Sequence, residues 1–320
     1  MSHVLWQGAA HPAPIALFRD ATEVLLSVAE QRHADDPSAL EAPVRRFVRD
    51  ADEAHAIAFD GPEPLVAMSL DDVLDCHRAS HPAASDLVII AGIHRGFLSL
   101  AARPGLAALS DLKGRRVAVD TDTGYASALF HILRRDGLER DRDYEVVYAG
   151  ATNLRFEKLL AGEFDATLLG APYTDLVQQA GFGLLGKVAD ALGGYQAIVL
   201  AARRPWLALP GNEEAAGRTV AAITQTLAFA CDPTNRVRVT RMVQPALPGL
   251  NAPAAAAVAE GLFGSQSDFL RDGRMRDADI EVVLDLFDRS RGARLTLADV
   301  HRLTDTRLLP PAEIAPGANR

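Results

Sequence analysis

Thr121, Asp122, Thr123, Gly124 and Tyr125 follow directly on the apolar run Val117-Ala118-Val119 and precede a helical stretch that runs to about Arg135. The first turn of a helix leaves backbone N–H groups without partners. Hydroxyls gathered beside them complete a cradle for an anionic ligand. The pattern recurs after Gly150, where Asn153 and Arg155 open a second helix. A guanidinium there can grip a carboxylate, sulfonate or phosphate through two parallel hydrogen bonds. It also opposes the helix dipole, so its position calls for a further reason. Asp122 would repel an anion unless its charge is turned aside or used as a cap.

Other chemistries are poorly served. Cys76 and His77 are neighbours on a helical stretch and therefore point to different faces. Neither Cys76 nor Cys231 belongs to a CxxC pair or a Cys/His cluster with zinc spacing, so both read as small buried hydrophobes. The segment DTDTG lacks the lysine and spacing of a phosphate-binding P-loop, and no GxGxxG is present. No cofactor and no metal are expected, and no catalytic residue is assigned.

The 320 residues are 48% hydrophobic and 23% charged, which is ordinary globular composition with length for about two domains. A formal net charge of −9 argues against nucleic acid as a partner. The opening MSHVLWQGAAHPAPIALFRD has neither a basic start nor a continuous apolar stretch, and no later segment is apolar for long enough to span a membrane. The chain as written is therefore expected in the cytoplasm, or in the periplasm if a leader has been removed.

Short apolar runs alternate with helical stretches, the pattern of an α/β protein. HVLWQG reads as the first strand, Ile15 to Arg19 as a short helical segment and EVLLSVAE as the second strand. LEAPVRRFVRDADE has helical spacing, HAIAF reads as a buried strand closed by Asp60-Gly61-Pro62, and PLVAMSLDDVLDCHRAS reads as a helix. Strands follow at DLVIIAGI, FLSLAA, GRRVAVD, DYEVVYAG, DATLLG, GFGLLGKV and YQAIVLAARR, with helices at about 123–135 and 154–161. From Trp206 the chain is mainly helical. It includes an amphipathic helix from Asp277 with an acidic first turn, and ends in a loose tail.

DLKGRRVAV, the small-polar helix start, the Gly-Leu at Gly137 and LLAGEFDATLLGAP together resemble the substrate-binding proteins of ABC transporters. The branch most similar holds the alkanesulfonate-, taurine- and nitrate-binding proteins and the NMT1/THI5-like thiamine-pyrimidine-precursor proteins. RFVRDADEAHAIAF resembles that group's first helix–strand unit, and DLVIIAGIHRGFLSLAA its crossing between lobes. The resemblance covers residues 38–206. It implies a type II periplasmic-binding-protein fold with two lobes, each a mixed sheet flanked by helices, and a ligand cleft between them. Residues 1–94 and 198–320 would form lobe one with the C-terminal helices, and 95–197 lobe two. The chain departs from the family in lacking a signal peptide and in the short span between its first two strands.

In that fold His94 and Arg95 fall at one crossing and Tyr195 at the other. Tyr173 ends a lobe-two strand, while His11 and Asp60 belong to lobe-one loops facing the cleft. The expected ligand-binding set is thus His11, Asp60, His94, Arg95, Thr121, Thr123, Gly124, Tyr125, Asn153, Arg155, Tyr173 and Tyr195. The expected function is binding of a small, anionic organic solute, of the carboxylate or sulfonate class, by hinge closure for uptake, with an ABC permease as partner. The alternative is a cytosolic enzyme on the same fold, of the aromatic-acid decarboxylase or desulfinase type, using the cleft His and Arg residues. A ligand-sensing module is a third reading, with no DNA-binding segment attached to it.

Overall fold

The computed structural model describes residues 10–247, 249–292 and 294–311. It contains two five-stranded mixed sheets flanked by helices. The first sheet comprises β1 (Ile15–Leu17), β2 (Arg45–Phe47), β3 (Leu65–Ser69), β4 (Leu87–His94) and β10 (Ile198–Arg203), in the order β2-β1-β3-β10-β4. The second comprises β5 (Ser99–Ala102), β6 (Arg116–Val119), β7 (Glu145–Tyr148), β8 (Ala166–Leu169) and β9 (Gly183–Lys187), in the order β7-β6-β8-β5-β9. In each, three parallel strands are followed across the sheet by one that runs antiparallel to both of its neighbours.

The chain passes from the first sheet to the second between β4 and β5, and returns between β9 and β10. The two passages hold each other. Ala197 N–H donates to His94 O, and the Gln196 side-chain amide, fully buried, donates to His94 O and Ile198 O. Arg95 grips Asp279 with Nε at 2.6 Å and Nη2 at 3.0 Å, and reaches Asp268 at 3.4 Å. Asp279 lies in the first turn of α12 (Asp277–Arg291), where a carboxylate also complements the helix dipole. This helix packs on both α3 (Leu70–Arg78) and α4 (Tyr125–Arg135), so it touches helices attached to both sheets.

The strands and helices from Leu87 onward fall where the sequence places them, with α5 at Thr152–Leu160. Two short helices, α6 (Tyr173–Gln179) and α7 (Val188–Leu192), were not anticipated. The N-terminal third needs correction. HVLWQG lies outside the described residues. Ile15–Leu17, expected to be helical, is a fully buried strand inserted between β2 and β3. EVLLSVAE belongs to helix α1 (Ala21–Asp35), whose buried Ala21, Val24, Leu25, Val28 and Ala29 follow the helical period. Arg45–Phe47 is a strand, and HAIAF lies inside α2 (Ala51–Asp60), which buries Ala54, Ile57 and Ala58. Leu65–Ser69 is a strand and only the residues after it are helical. Reading Ile15–Leu17 as helical puts the alternation out of phase until β4. The resemblance of RFVRDADEAHAIAF to a helix–strand unit shares this error, since the segment runs strand then helix.

Removing one partner of the Arg95–Asp279 pair leaves the other charge half-buried. Asp279→Ala is expected to cost about 1–3 kcal/mol in denaturant unfolding. A change no larger than that of an exposed alanine substitution on the same helix would show that the pair does not hold α12 to the crossing.

Candidate functional site

The carboxyl ends of the parallel strands point toward the gap between the sheets, and each runs into a polar turn that starts a helix. After β1, Asp20 caps α1 by accepting from Thr22 N–H at 2.8 Å. After β3, Ser69 caps α3 by accepting from Asp72 N–H, and its hydroxyl donates to Asp72 Oδ2 at 2.7 Å. Across the gap, β6 is followed by Asp120, and the Thr121–Gly124 turn leads into α4. Beyond β7, Gly150 and Ala151 lead into α5.

These ends enclose one cavity, lined by Phe18, Asp20, Ser69, Asp72 and Ile198 from the first sheet's side. Asp120, Gly124, Tyr125, Thr152 and Arg155 line it from the second. Its free volume of about 20 Å³ compares with the roughly 10–15 Å³ one water needs by the same measure, so the two walls are in the closed position. Gly124, at φ +55°, lies against the opposite wall. A Cβ on it would lie 3.0 Å from Asp72 Oδ2 and 3.2 Å from Ser69 Oγ. Beside the cavity, Ala151 N–H donates to Arg49 O at 2.7 Å and Arg291 Nη2 to Asp122 O at 2.9 Å, two further bonds across the gap.

Gly124, Tyr125 and Arg155 of the expected set line this cavity. Arg155 is 3% exposed. Its Nη1 donates to Gly150 O at 2.6 Å and its Nη2 to Thr152 Oγ1 and Leu168 O at 3.2 Å, while Nε has no partner. The reason for an arginine at this helix start is therefore local: it ties the turn before α5 to the end of β8. The hydroxyls of Thr121 and Thr123 bond each other at 2.7 Å beside the cavity. Asp122 is no cap. It turns away to Arg140 and Tyr148, each at 2.6 Å.

Tyr195 is buried behind the cavity, its ring 6.2 Å from that of Tyr125 and its hydroxyl donating to Asp71 Oδ2 at 2.7 Å. His94, 4% exposed, packs against Phe97 and Phe269. Its Nδ1 accepts from Gly96 N–H, so in the neutral ring Nε2 carries the hydrogen and faces Asp20 Oδ2 at 4.0 Å. Burial pushes its pKa down to about 3, which keeps the ring neutral. Tyr173 packs on Phe156, and Asn153 sits on α5 outside the cavity lining. Arg95 faces α12. Two residues are remote: His11 is 66% exposed and paired with Glu41, and Asp60 is 77% exposed at the far end of α2, beside His81. They were placed on the cleft because the N-terminal elements were read out of phase.

The same misreading hid Phe18, Asp20, Ser69 and Asp72. Their signal is legible in retrospect: FRD and SLDD are polar caps directly behind short apolar runs. The result is a cleft with three carboxylates, Asp20, Asp72 and Asp120, and one guanidinium. Burial raises Asp20 to about 6 and raises Asp120, the latter against the pull of Arg155 at 3.8 Å. Burial also lifts Asp71 to about 8, against the Tyr195 hydrogen bond, with Asp72 adding to the rise.

A carboxyl raised in the folded state binds its proton more tightly there than in the unfolded chain. Its contribution to stability is complete below about pH 4 and is lost as pH climbs toward 8. Asp71→Asn keeps an acceptor for Tyr195 and removes the titration. It is expected to be neutral near pH 4 and stabilising by about 1–3 kcal/mol near pH 8. Thermal melts that shift equally at both pH values would contradict the assignment.

Residues 79–235 match the family model described as "NMT1/THI5 like". No curated protein matches the chain in sequence. Among solved structures, it is similar to the alkanesulfonate-binding protein SsuA from Xanthomonas axonopodis pv. citri bound to MOPS, with a TM-score of 0.69 and 16% identity over 93% of this chain and 100% of that one. It is also similar to the periplasmic nitrate-binding protein NrtA from Synechocystis PCC 6803, with a TM-score of 0.70 and 10% identity over 93% and 86%. The ligand-binding component of an ABC-type import system from Staphylococcus aureus, with zinc bound, gives a TM-score of 0.72 and 10% identity over 93% and 97%. The fold is that of the type II periplasmic-binding proteins, and the stretch similar to the NMT1/THI5-like model spans both passages between the sheets.

Proposed function

We propose that this chain is the solute-binding component of an ABC-type import system. It takes a small organic molecule between its lobes and presents the closed form to a permease. The observation that carries this reading is the cavity lined by strand ends and helix starts from both sheets and closed to little more than a water's volume. Such a cavity admits a solute only when its walls part, which is how a two-lobed binder works. The moving bodies are residues 1–94 with 198–320 and residues 95–197, hinged at the passages near His94 and Gln196. Uptake systems of this kind load their binders outside the inner membrane, so the reading places the protein in the periplasm. No helix among the described residues is long and apolar enough to cross a membrane.

The ligand contacts proposed are Gly124, Tyr125, Thr152 and Arg155 on one wall and Phe18, Asp20, Ser69 and Asp72 on the other. Tyr195 and His94 act behind them by fixing Asp71 and flanking Asp20. The enzyme alternative would use the cleft His and Arg residues; here both Nη atoms of Arg155 are given to Gly150, Thr152 and Leu168, and His94 is buried behind the cavity as a neutral ring.

Gly124→Ala tests closure. The strain of a side chain at φ +55° is present whether the cleft is open or shut, whereas the tight contact with Asp72 Oδ2 and Ser69 Oγ, which must give by a few tenths of an ångström, exists only when it is shut. The variant is expected to bind solute about tenfold or more weakly and to scatter X-rays as a more open particle. Unchanged affinity and an unchanged radius of gyration would contradict closure at this contact.

A further inference from the structure

We infer that this chain holds a second small-molecule site outside the cleft, a groove between α4 and α12 that takes an aromatic oxyanion. The site is separate from the cavity between the strand ends, and its failure would leave the solute-binding reading untouched.

Helix α4 follows β6 of the second sheet, and α12 packs both on it and on α3 beside the first. The groove where they meet has a free volume of about 320 Å³, against about 20 Å³ for the cavity between the strand ends. That falls in the range of about 300–1,000 Å³ usual for small-molecule sites. Its walls come from the two bodies that the passages near His94 and Gln196 connect, so a ligand here touches both.

The charge of the groove runs against that of the chain. In a protein of formal net charge −9, four guanidiniums line it, those of Arg134, Arg140, Arg289 and Arg291, against the two carboxylates of Asp122 and Glu139. Arg140 is fully spent, on Asp122 at 2.6 Å, Tyr148 at 2.9 Å and Asp141 at 3.2 Å. Arg134 and Arg289 are not. Among the described residues each gives only its Nε, Arg134 to Glu139 at 3.3 Å and Arg289 to Asp285 at 2.8 Å. Their Nη atoms, which form the fork that fits a carboxylate or phosphate, have no acceptor from the protein. Exposed pairs held by one bond are worth little and yield to a better acceptor. Arg291 commits Nε and Nη2 to Asp75 and Asp122 O, which leaves Nη1.

His131 stands among these arginines and makes no hydrogen bond among the described residues. Burial pushes its pKa down, and the charges of Arg289, Arg135 and Arg134 push it further, with only Asp285 opposing. The imidazole thus registers the positive potential that the arginines leave uncancelled, which an anion would relieve. The remaining surface is apolar. The Phe130 ring lies 4.8 Å from the Arg140 guanidinium, and Leu138, Tyr144 and Leu286 complete the lining. An oxyanion therefore meets the guanidinium forks while an aromatic body rests on the floor. An amine would meet only cations, since Asp122 and Glu139 already have arginine partners.

The test uses the full chain with phenyl phosphate, benzoate and, as the uncharged counterpart, benzyl alcohol. Calorimetry is expected to detect at least one of the two anions and not the alcohol, the tighter anion telling phosphate from carboxylate. Arg134→Ala and Arg289→Ala, at exposed positions, should each weaken that anion about tenfold and leave the melting temperature of the free protein near its starting value. Arg302→Ala, an exposed arginine outside the groove, should leave the affinity unchanged. Bound anion is expected to slow hydrogen exchange together at residues 127–134 and 286–291. Absence of anion binding, unchanged affinity in either groove variant, or an equal loss in Arg302→Ala would overturn the inference. Protection at residues 18–22 and 69–73 in place of the groove segments would put the anion in the cleft, which overturns this site and leaves the solute-binding reading standing.

Discussion

Strand β10 lies between β3 and β4, so the first sheet is complete only after the chain has gone out through the second sheet and come back. Everything else in the architecture follows from that insertion. It forces two passages side by side, one leaving β4 and one entering β10, and it obliges their backbones to satisfy each other. The His94–Ala197 hydrogen bond and the buried Gln196 amide are the local consequence. It also joins the two sheets through β4 and β10, neighbours in the first, and β5 and β9, neighbours in the second. The strand ends and helix starts of both sheets line the cavity between them.

How much of this was legible in the sequence depends on the segment. From Leu87 onward each strand is a short apolar run bounded by Gly, Pro or charged residues, and its class is clear from pattern alone. The first third is different. There, α1 and α2 carry compact apolar clusters, VLLSVA and AHAIAF, that look like buried strands unless the spacing of Val24, Leu25 and Val28, or of Ala54, Ile57 and Ala58, is weighed against the Asp20 and Asp50 caps. Three-residue strands such as β1 and β2 carry too little pattern to correct the phase. One wall of the site was therefore visible beforehand, through Gly124, Tyr125 and Arg155. The other was concealed, because Asp20 and Asp72 look like ordinary helix caps until the second lobe is placed opposite them.

The helix starts at the closed cavity stand beside charges of the chain's own. A helix N-terminus favours an anion, and here the chain supplies anions of its own: Asp20 caps α1, and Asp72 sits in the first turn of α3. Arg155 is likewise taken up by backbone carbonyls and a hydroxyl. With those internal partners counted, the wall carries Asp20, Asp72, Asp120 and Arg155 beside the rings of Phe18 and Tyr125. Burial then pushes the Asp20 and Asp120 pKa values upward, the mark of charges shut away from water without sufficient compensation.

The account stands on both walls engaging one solute. Hydrogen–deuterium exchange on the intact protein, with and without the dialysable small-molecule fraction of a cell extract, tests this most directly. Slower exchange is expected together at residues 18–22 and 69–73 from the first lobe and at 121–126 and 152–156 from the second. Protection confined to one lobe, or absent from all four segments while the extract still stabilises the protein, would contradict a site built between the lobes.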